Sequence, residues 1–549
     1  MRRIGGRRAL GVVAVAAVAA LIMFGALAEA GQPRRSAEPT LLRATFASFP
    51  DYMDPALSYT FEGWTAMYDT YVPLLTYRHA PGRAGSEVIP GLARGLPRIT
   101  DGGRTYTLFL RHGLKYSDGT WVKASDFEYA VKRMFRLNSG GFPFYTDIVG
   151  AEGFREKRSG DISGIVTNNK TGKIVIHLFE PSGTFTNELA LMFVAPVPSG
   201  TPLHDLSFQP PPATGPYVIT KSEPGRGWSY ERNPVWAGNN QQLMPQLPGG
   251  HIDKIKVEVV RNSKKQTQGV EHGSYDWMQN PPPGDEFQEL ARRYRRSQFR
   301  IEPTLSTYYF WMNTRRAPFN DLRVRKAVNY ALDPSALQRI YAQQILPTHQ
   351  TLPSGMPGYR KFDLYPHNLA KARRLIAKAH PKDRKITVWT DSESPNDEAG
   401  AYYASVLRQL GFKVRLKVVN GFNYFTVIGN TSTPNLDTGW SDWFEDYPHP
   451  NDWFQPLLAG ENILRRNNGN FAQIDVPRLN TKIAKLAASP LGPAQERQYA
   501  ALDRSYMKLA PWVPYGTRVL STFVSKRVDL AKVIWNPTFG ADLTSFQFK

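Results

Sequence analysis

The sequence predicts an α/β protein of two or three domains, in which mixed sheets are flanked by helices. Its length is the first observation. A chain of 549 residues, 41% hydrophobic and without a long low-complexity tract, exceeds what one core organises. The second is that runs alternating with the period of a half-buried strand lie beside runs with the period of an amphipathic helix. The third is a strand–helix–strand pattern in the last third of the chain, the signature of a crossover between parallel strands.

The first strand is Leu41 to Phe49, ending near Asp54-Pro55. Tyr106, Leu108 and Leu110 then alternate with Thr105, Thr107 and Arg111, which predicts a strand with one buried face. Ser117-Asp118-Gly119 turns the chain. Ser125 and Glu128 have the spacing of a capping box opening a helix, whose buried face is Phe127, Ala130, Val131, Met134 and Phe135. A proline-rich stretch over residues 200–216 ends at Thr214-Gly215-Pro216-Tyr217 and reads as a crossing between lobes. Strands follow at Tyr217–Thr220 and Ile255–Val260. Ile386–Thr390 is the first strand of the crossover, and Tyr403, Val406, Leu407 and Leu410 form its helix face. Gly411 stops that helix, and Phe412, Val414, Leu416 and Val418 alternate in the returning strand.

The N-terminus has the pattern of an export signal. Arg2, Arg3, Arg7 and Arg8 precede an apolar stretch from Ala9 to Ala28, with small-x-small sites at Ala26-Leu27-Ala28 and Ala28-Glu29-Ala30. About 20 apolar residues also suffice for an uncleaved anchor, although many are Ala and Gly. In both cases the remainder lies outside the cytoplasmic membrane. The formal net charge is +21, and residues 1–28 hold four arginines and no other charge, so the mature protein keeps +17. Its basic residues are spread out, with modest clusters such as Arg292-Arg293-Tyr294-Arg295-Arg296. That distribution suits weak attraction to anionic headgroups and not nucleic-acid binding. Cysteine is absent, which rules out disulfides, thiolate metal sites, cysteine nucleophiles and a lipoprotein anchor.

The sequence carries no G-x-S-x-G, G-x-x-x-x-G-K-[ST], G-x-G-x-x-G or H-E-x-x-H. His449 between Asp446 and Asp452 reads as a surface position before a metal site, and Asp51 with Asp54 is either a carboxylate pair or a turn start. A triad assembled from distant positions stays open, but no signature argues for an enzyme or for a cofactor. One segment stands out. Leu436 to Phe454 holds six aromatics (Trp440, Trp443, Phe444, Tyr447, Trp453, Phe454), five acids (Asp437, Asp442, Glu445, Asp446, Asp452) and no Lys or Arg, in a basic chain. Aromatic walls exclude water, and a carboxylate in low dielectric holds a cation strongly. The segment is therefore either a pocket for a cationic or zwitterionic group or an aromatic core with paired acids.

Several segments occur in the order and spacing of one family. They include Asp54-Pro55, Tyr71-Val72-Pro73-Leu74-Leu75, Tyr116-Ser117-Asp118-Gly119-Thr120, Ala124-Ser125-Asp126-Phe127, Arg232-Asn233-Pro234, Ala317-Pro318-Phe319-Asn320-Asp321-Leu322-Arg323 and Ala510-Pro511-Trp512-Val513-Pro514. Over residues 41–520 the chain resembles the family 5 extracellular solute-binding proteins, which bind oligopeptides, dipeptides and nickel chelates. The resemblance implies a periplasmic-binding-protein-like fold of the large class: two α/β lobes, a two-stranded hinge and an extra domain. The expected division is 41–70, 196–304 and 516–549 for lobe I, 71–195 for the extra domain and 305–515 for lobe II, after a signal or anchor (1–28) and a linker (29–40).

It further implies an exported, monomeric partner of an ABC permease complex, with no nucleic acid involved. The captured ligand is a short peptide, or in the alternative an oligosaccharide, metal chelate or other small solute. Trp443-Phe444-Glu445-Asp446-Tyr447-Pro448 matches the family's G-W-x-x-D motif before a proline, except that Asp442 replaces the glycine. The resemblance thereby makes Asp446 the partner of a peptide's α-ammonium. It places main-chain pairing near Tyr59 and Phe61 on one side and Asp442 and Phe444 on the other. At the family's carboxylate-end positions stand Trp440 and Pro395, and Trp440 and Trp443 would be stacking platforms for a non-peptide solute. An extracellular hydrolase and a membrane-tethered scaffold are the remaining classes.

Overall fold

A mixed sheet of twelve strands runs through the molecule. In chain order they are β1 (Leu41–Phe46), β2 (Tyr217–Glu223), β3 (Gly227–Arg232), β4 (Lys254–Val259), β5 (Trp277–Met278) and β6 (Phe299–Pro303). They continue with β7 (Ser306–Met312), β8 (Ile345–Pro347), β9 (Lys385–Asp391), β10 (Lys413–Val419), β11 (Thr438–Phe444) and β12 (Trp512–Val524). The computed structural model describes residues 38–295 and 297–549. The export segment, and the linker as far as residue 37, lie outside the described residues. Among the described residues no helix is long and apolar enough to cross a membrane.

The strand order is β10-β9-β11-β7-β12-β5-β1-β4-β3-β2, with β6 and β8 also paired to β12. Composition accounts for position. All seven residues of β7 are buried, and its sequence Ser-Thr-Tyr-Tyr-Phe-Trp-Met reads as a near-continuous apolar run. At one end of the sheet, β10 carries Lys413, Arg415 and Lys417 on its exposed face, charges that discourage a further strand from adding. The predicted crossover is present: β9 and β10 pair in parallel from Lys385↔Lys413 to Asp391↔Val419, joined by a helix over Asn396–Gln409. Gly411 follows that helix with φ +89°, the left-handed backbone that glycine adopts without strain.

Two large apolar cores lie along this sheet. One gathers residues such as Leu42, Tyr106, Phe127, Ile255 and Trp277, and the other Phe310, Trp311, Tyr403, Trp440 and Tyr506. The chain crosses between them through β6–β7 and through β12. β12 pairs with β7 at Tyr308↔Gly516 and with β6 at Pro303↔Val519, so both crossings form one two-stranded pivot. Thr304 and Arg518 lock its middle: the Thr304 N–H donates to the Arg518 carbonyl (3.1 Å) and the Arg518 N–H to Ser306 Oγ (3.0 Å).

A second, antiparallel sheet pairs Arg98–Thr100, Thr105–Phe109, Lys173–His177 and Ile165–Asn168 in that order. Beside it packs the helix Ala124–Arg136, with Phe127, Ala130, Val131, Met134 and Phe135 all buried, as their spacing predicts.

Several local expectations are corrected. The helix opens on Lys123, whose N–H donates to the Asp126 carboxylate (2.8 Å). Ser125 instead pairs with Asn169, and Glu128 accepts from Lys132 and Thr167. Residues 214–217 do not cross between the cores. They hydrogen-bond back to Asp69 and Thr70, and Tyr217 lies in the first core. Asp54 is not paired with Asp51: it is fully buried and accepts a bidentate pair from the equally buried Arg133 at 2.7 and 2.6 Å. His449 is buried, not at the surface. Its Nδ1 accepts from the Asn451 N–H (3.0 Å), and burial pushes its pKa down to about 3, so the ring is neutral.

Candidate functional site

The two cores face each other across a cavity of about 380 Å³, and the pivot forms its floor. One wall is the segment Tyr59–Trp64 with Pro537 and Thr538. The opposite wall is Phe444, Glu445 and Asp446, and the floor is Thr304, Arg518 and Leu520.

The first wall is set by short polar contacts. A helix over Phe61–Met67 is capped by Thr60, whose Oγ1 accepts from the Gly63 N–H (3.2 Å). The Asp51 carboxylate holds the turn before it, accepting from Ser58 Oγ (2.7 Å), the Tyr59 N–H (2.6 Å) and Thr60 Oγ1 (2.9 Å). Gly63 is required by this packing, because a Cβ there would lie 1.9 Å from Ser58 Oγ and 3.0 Å from Asp51 Oδ1. The Tyr59 ring stacks near Trp64 (centroids 5.9 Å apart) and meets Phe193 edge-on (5.3 Å). This network leaves the Tyr59 hydroxyl pointing across the cavity.

The opposite wall is where β11 ends. The helix Asn451–Leu458 follows it, and Asp452 in its first turn accepts from the Asp446 N–H (2.9 Å) and Trp443 Nε1 (3.3 Å). These bonds fix the loop carrying Glu445 and Asp446. Asp446 is half-buried, and burial pushes its carboxyl up to about 6, partly offset by the hydrogen bond it accepts from Tyr59. Tyr59 Oη donates to Asp446 Oδ1 at 2.7 Å, so the two walls touch through this carboxylate. Burial, reinforced by the nearby carboxylates Asp452 and Asp446, holds the Glu445 carboxyl well above its usual range. Phe144 packs edge-on against Tyr447 (6.1 Å), and Arg83 binds Glu496 at 2.6 Å, further contacts between the two halves.

Of the residues singled out from sequence, Tyr59, Phe61, Phe444 and Asp446 line this cavity together. Asp442, Trp440 and Trp443 do not. Trp440 lies in the second core, where its Nε1 donates to the hydroxyls of Tyr515 (2.9 Å) and Tyr341 (3.2 Å), and period-two alternation puts the half-buried Asp442 on the same face of β11. Asp442 lies against Tyr308, and burial pushes its carboxyl up to about 7. Trp443 is held by Asp452. The acidic aromatic segment is thus core where its strand begins and where its helix starts at Asn451, and cavity wall only at Phe444–Asp446 between them. Sequence reasoning missed Glu62, Trp64, Thr304, Arg518, Leu520, Pro537 and Thr538. Arg518 had a readable signal, as the one charged residue in the strand Trp512–Val524.

Two α/β halves on a two-stranded pivot, enclosing a cavity between them, have the architecture of a two-lobed solute-binding protein. The model of the bacterial extracellular solute-binding proteins, family 5 (Middle), matches residues 87–464, and the chain belongs to that family. Glutathione-binding protein GsiB of Salmonella choleraesuis (strain SC-B67) is 24% identical over 444 residues, covering 78% of this chain and 81% of that protein. Periplasmic oligopeptide-binding protein OppA of Salmonella typhimurium (strain LT2) is 25% identical over 441 residues, covering 75% and 76%. Among solved structures, clavulanic acid biosynthesis oligopeptide binding protein 2 aligns with a TM-score of 0.82 at 25% identity, over 92% of this chain and 95% of that one. Members of this family are extracellular solute-binding proteins and not enzymes.

Proposed function

We propose that this protein captures short peptides between its lobes by their free α-ammonium, which pairs with Asp446, and presents them to an ABC permease. The observation that carries the reading is the Asp446 carboxylate at the cavity wall, already accepting a proton donor from the opposite lobe. A ligand ammonium placed there gains the same carboxylate in a partly desolvated, aromatic setting. β11 pairs with β7 along its whole length but with β9 only at Thr438 and Gly439, so the side of Ser441–Phe444 away from β7 has no ladder partner among the described strands. A peptide main chain can add along such an edge without its side chains being read. Relatives whose names record peptide ligands, such as the oligopeptide-binding protein OppA, support the same class.

Binding closes the lobes because only the closed state contacts the ligand from both walls. Export to the outer side of the cytoplasmic membrane and a monomeric state complete the proposal. The test is calorimetric titration with short peptides and their N-acetylated forms. Acetylation should abolish binding, and equal affinity for both forms would overturn the assignment of Asp446.

A further inference from the structure

We infer that Arg518 holds the carboxylate end of the captured molecule, which makes the ligand a short zwitterion with both termini free. This rests on the peptide reading above and adds the second anchor that the sequence left unplaced.

Arg518 is the one cation among the residues lining the cavity. A guanidinium has five N–H donors. Here one of them has an acceptor, Gln344 Oε1 at 2.7 Å, and among the described residues Arg518 makes no ion pair. Other sheltered arginines of this chain are better served. Arg133 binds Asp54 twice and donates to the carbonyls of Pro202 and His204. Arg300 binds Glu302 and two carbonyls, and Arg325 binds the carbonyls of Phe319 and Leu509. Arg518 alone among these lines the cavity between the two walls, where a carboxylate can take two of its unused donors at once.

Its placement is equally definite. The main chain of Arg518 is tied to Thr304 and Ser306 at the pivot, so the anchor stays put as the lobes move. Across the cavity, burial holds the Glu445 carboxyl well above its usual range, while Asp446, pushed up to about 6, is ionised at neutral pH. The ionisable groups lining the cavity are therefore the Arg518 guanidinium and the carboxyls of Glu62, Glu445 and Asp446, all three raised by burial, with Asp446 the one that meets the opposite wall. The cavity volume of about 380 Å³ sits at the low end of ligand pockets, roughly 300–1,000 Å³, which suits about two or three residues.

The experiment compares trialanine, its C-terminal amide and its N-acetyl form by calorimetry on the unmodified protein, and then on Arg518→Gln. Amidation should weaken binding by about 10- to 100-fold in the unmodified protein, the range of a charge-assisted hydrogen-bonded pair. In Arg518→Gln, acid and amide should bind alike. Equal binding of acid and amide to the unmodified protein, with N-acetylation still abolishing binding, overturns the Arg518 assignment and leaves Asp446 standing. Discrimination that survives in Arg518→Gln also overturns it. Failure of all three ligands to bind overturns both readings. The comparison on the unmodified protein needs no variant to fold, and a thermal melt of Arg518→Gln verifies that the variant is native.

Discussion

Asp446→Asn tests the anchor most directly. The amide keeps the size of the carboxylate and an acceptor for Tyr59 Oη, so the change removes charge and little else. Breaking a buried ion pair from one side costs about 3–5 kcal/mol. Asp446 is half-buried, which places the expected loss at the lower end, about 3 kcal/mol or two decades in Kd. The pH dependence adds an independent signature. With a carboxyl pushed up to about 6, Asp446 is ionised in about 90% of molecules at pH 7 and about 10% at pH 5. The peptide ammonium stays charged throughout, so the Kd should rise about tenfold between pH 7 and pH 5 in the unmodified protein. In Asp446→Asn the affinity should be low and flat over the same range. Titration calorimetry at both pH values reads both quantities. A variant that keeps the tenfold slope, or binds within a factor of three of the original, refutes the reasoning.

Three further expectations concern the empty protein. Tyr59→Phe removes the hydrogen bond between the lobes, so small-angle scattering should give a larger radius of gyration without ligand, and an unchanged one would show that this bond does not hold the cleft shut. Asp54→Ala strands the buried Arg133 charge and should cost about 3–5 kcal/mol in urea unfolding while leaving the cavity intact. A loss under about 1 kcal/mol would contradict that account. Finally, burial raises Glu188 to about 8 and Asp442 to about 7 in the folded state, so both bind protons more tightly folded than unfolded. Their contribution is complete below the unfolded carboxyl range and is lost as pH rises through 7 and 8, whereas His449, pushed down to about 3, opposes it slightly near pH 6.5. These three groups together give about 2 kcal/mol more stability at pH 6.5 than at pH 8, readable as a higher Tm, and the raised Glu445 carboxyl acts in the same direction.

Much of this was legible in the residues because periodicity reports burial. The helix face from Phe127 to Phe135 and the parallel pair β9–β10 follow from spacing alone. The cap of the first long helix was not, since two acids, Asp126 and Glu128, compete for the same role and only geometry decides. The segment Leu436–Phe454 was half legible. Its composition suited a pocket and a core equally, and it is both: a central strand buried on its two faces emerges at the cleft only in its last residues. Trp440 and Asp442 fall outside the cavity lining for that reason, as composition carries no information on where a strand leaves the interior. Tyr59 and Arg518 are separated from Asp446 by hundreds and by tens of residues, and their convergence depends on the pivot.

The strand Trp512–Val524 has a consequence for how the molecule comes apart. Two separate apolar interiors would ordinarily melt one after the other. Here a single uninterrupted backbone segment supplies ladder bonds to both, so losing either interior strips hydrogen bonds from the edge of its neighbour. Calorimetric heating should accordingly give one endotherm in place of two, with the halves unfolding as a single thermodynamic body.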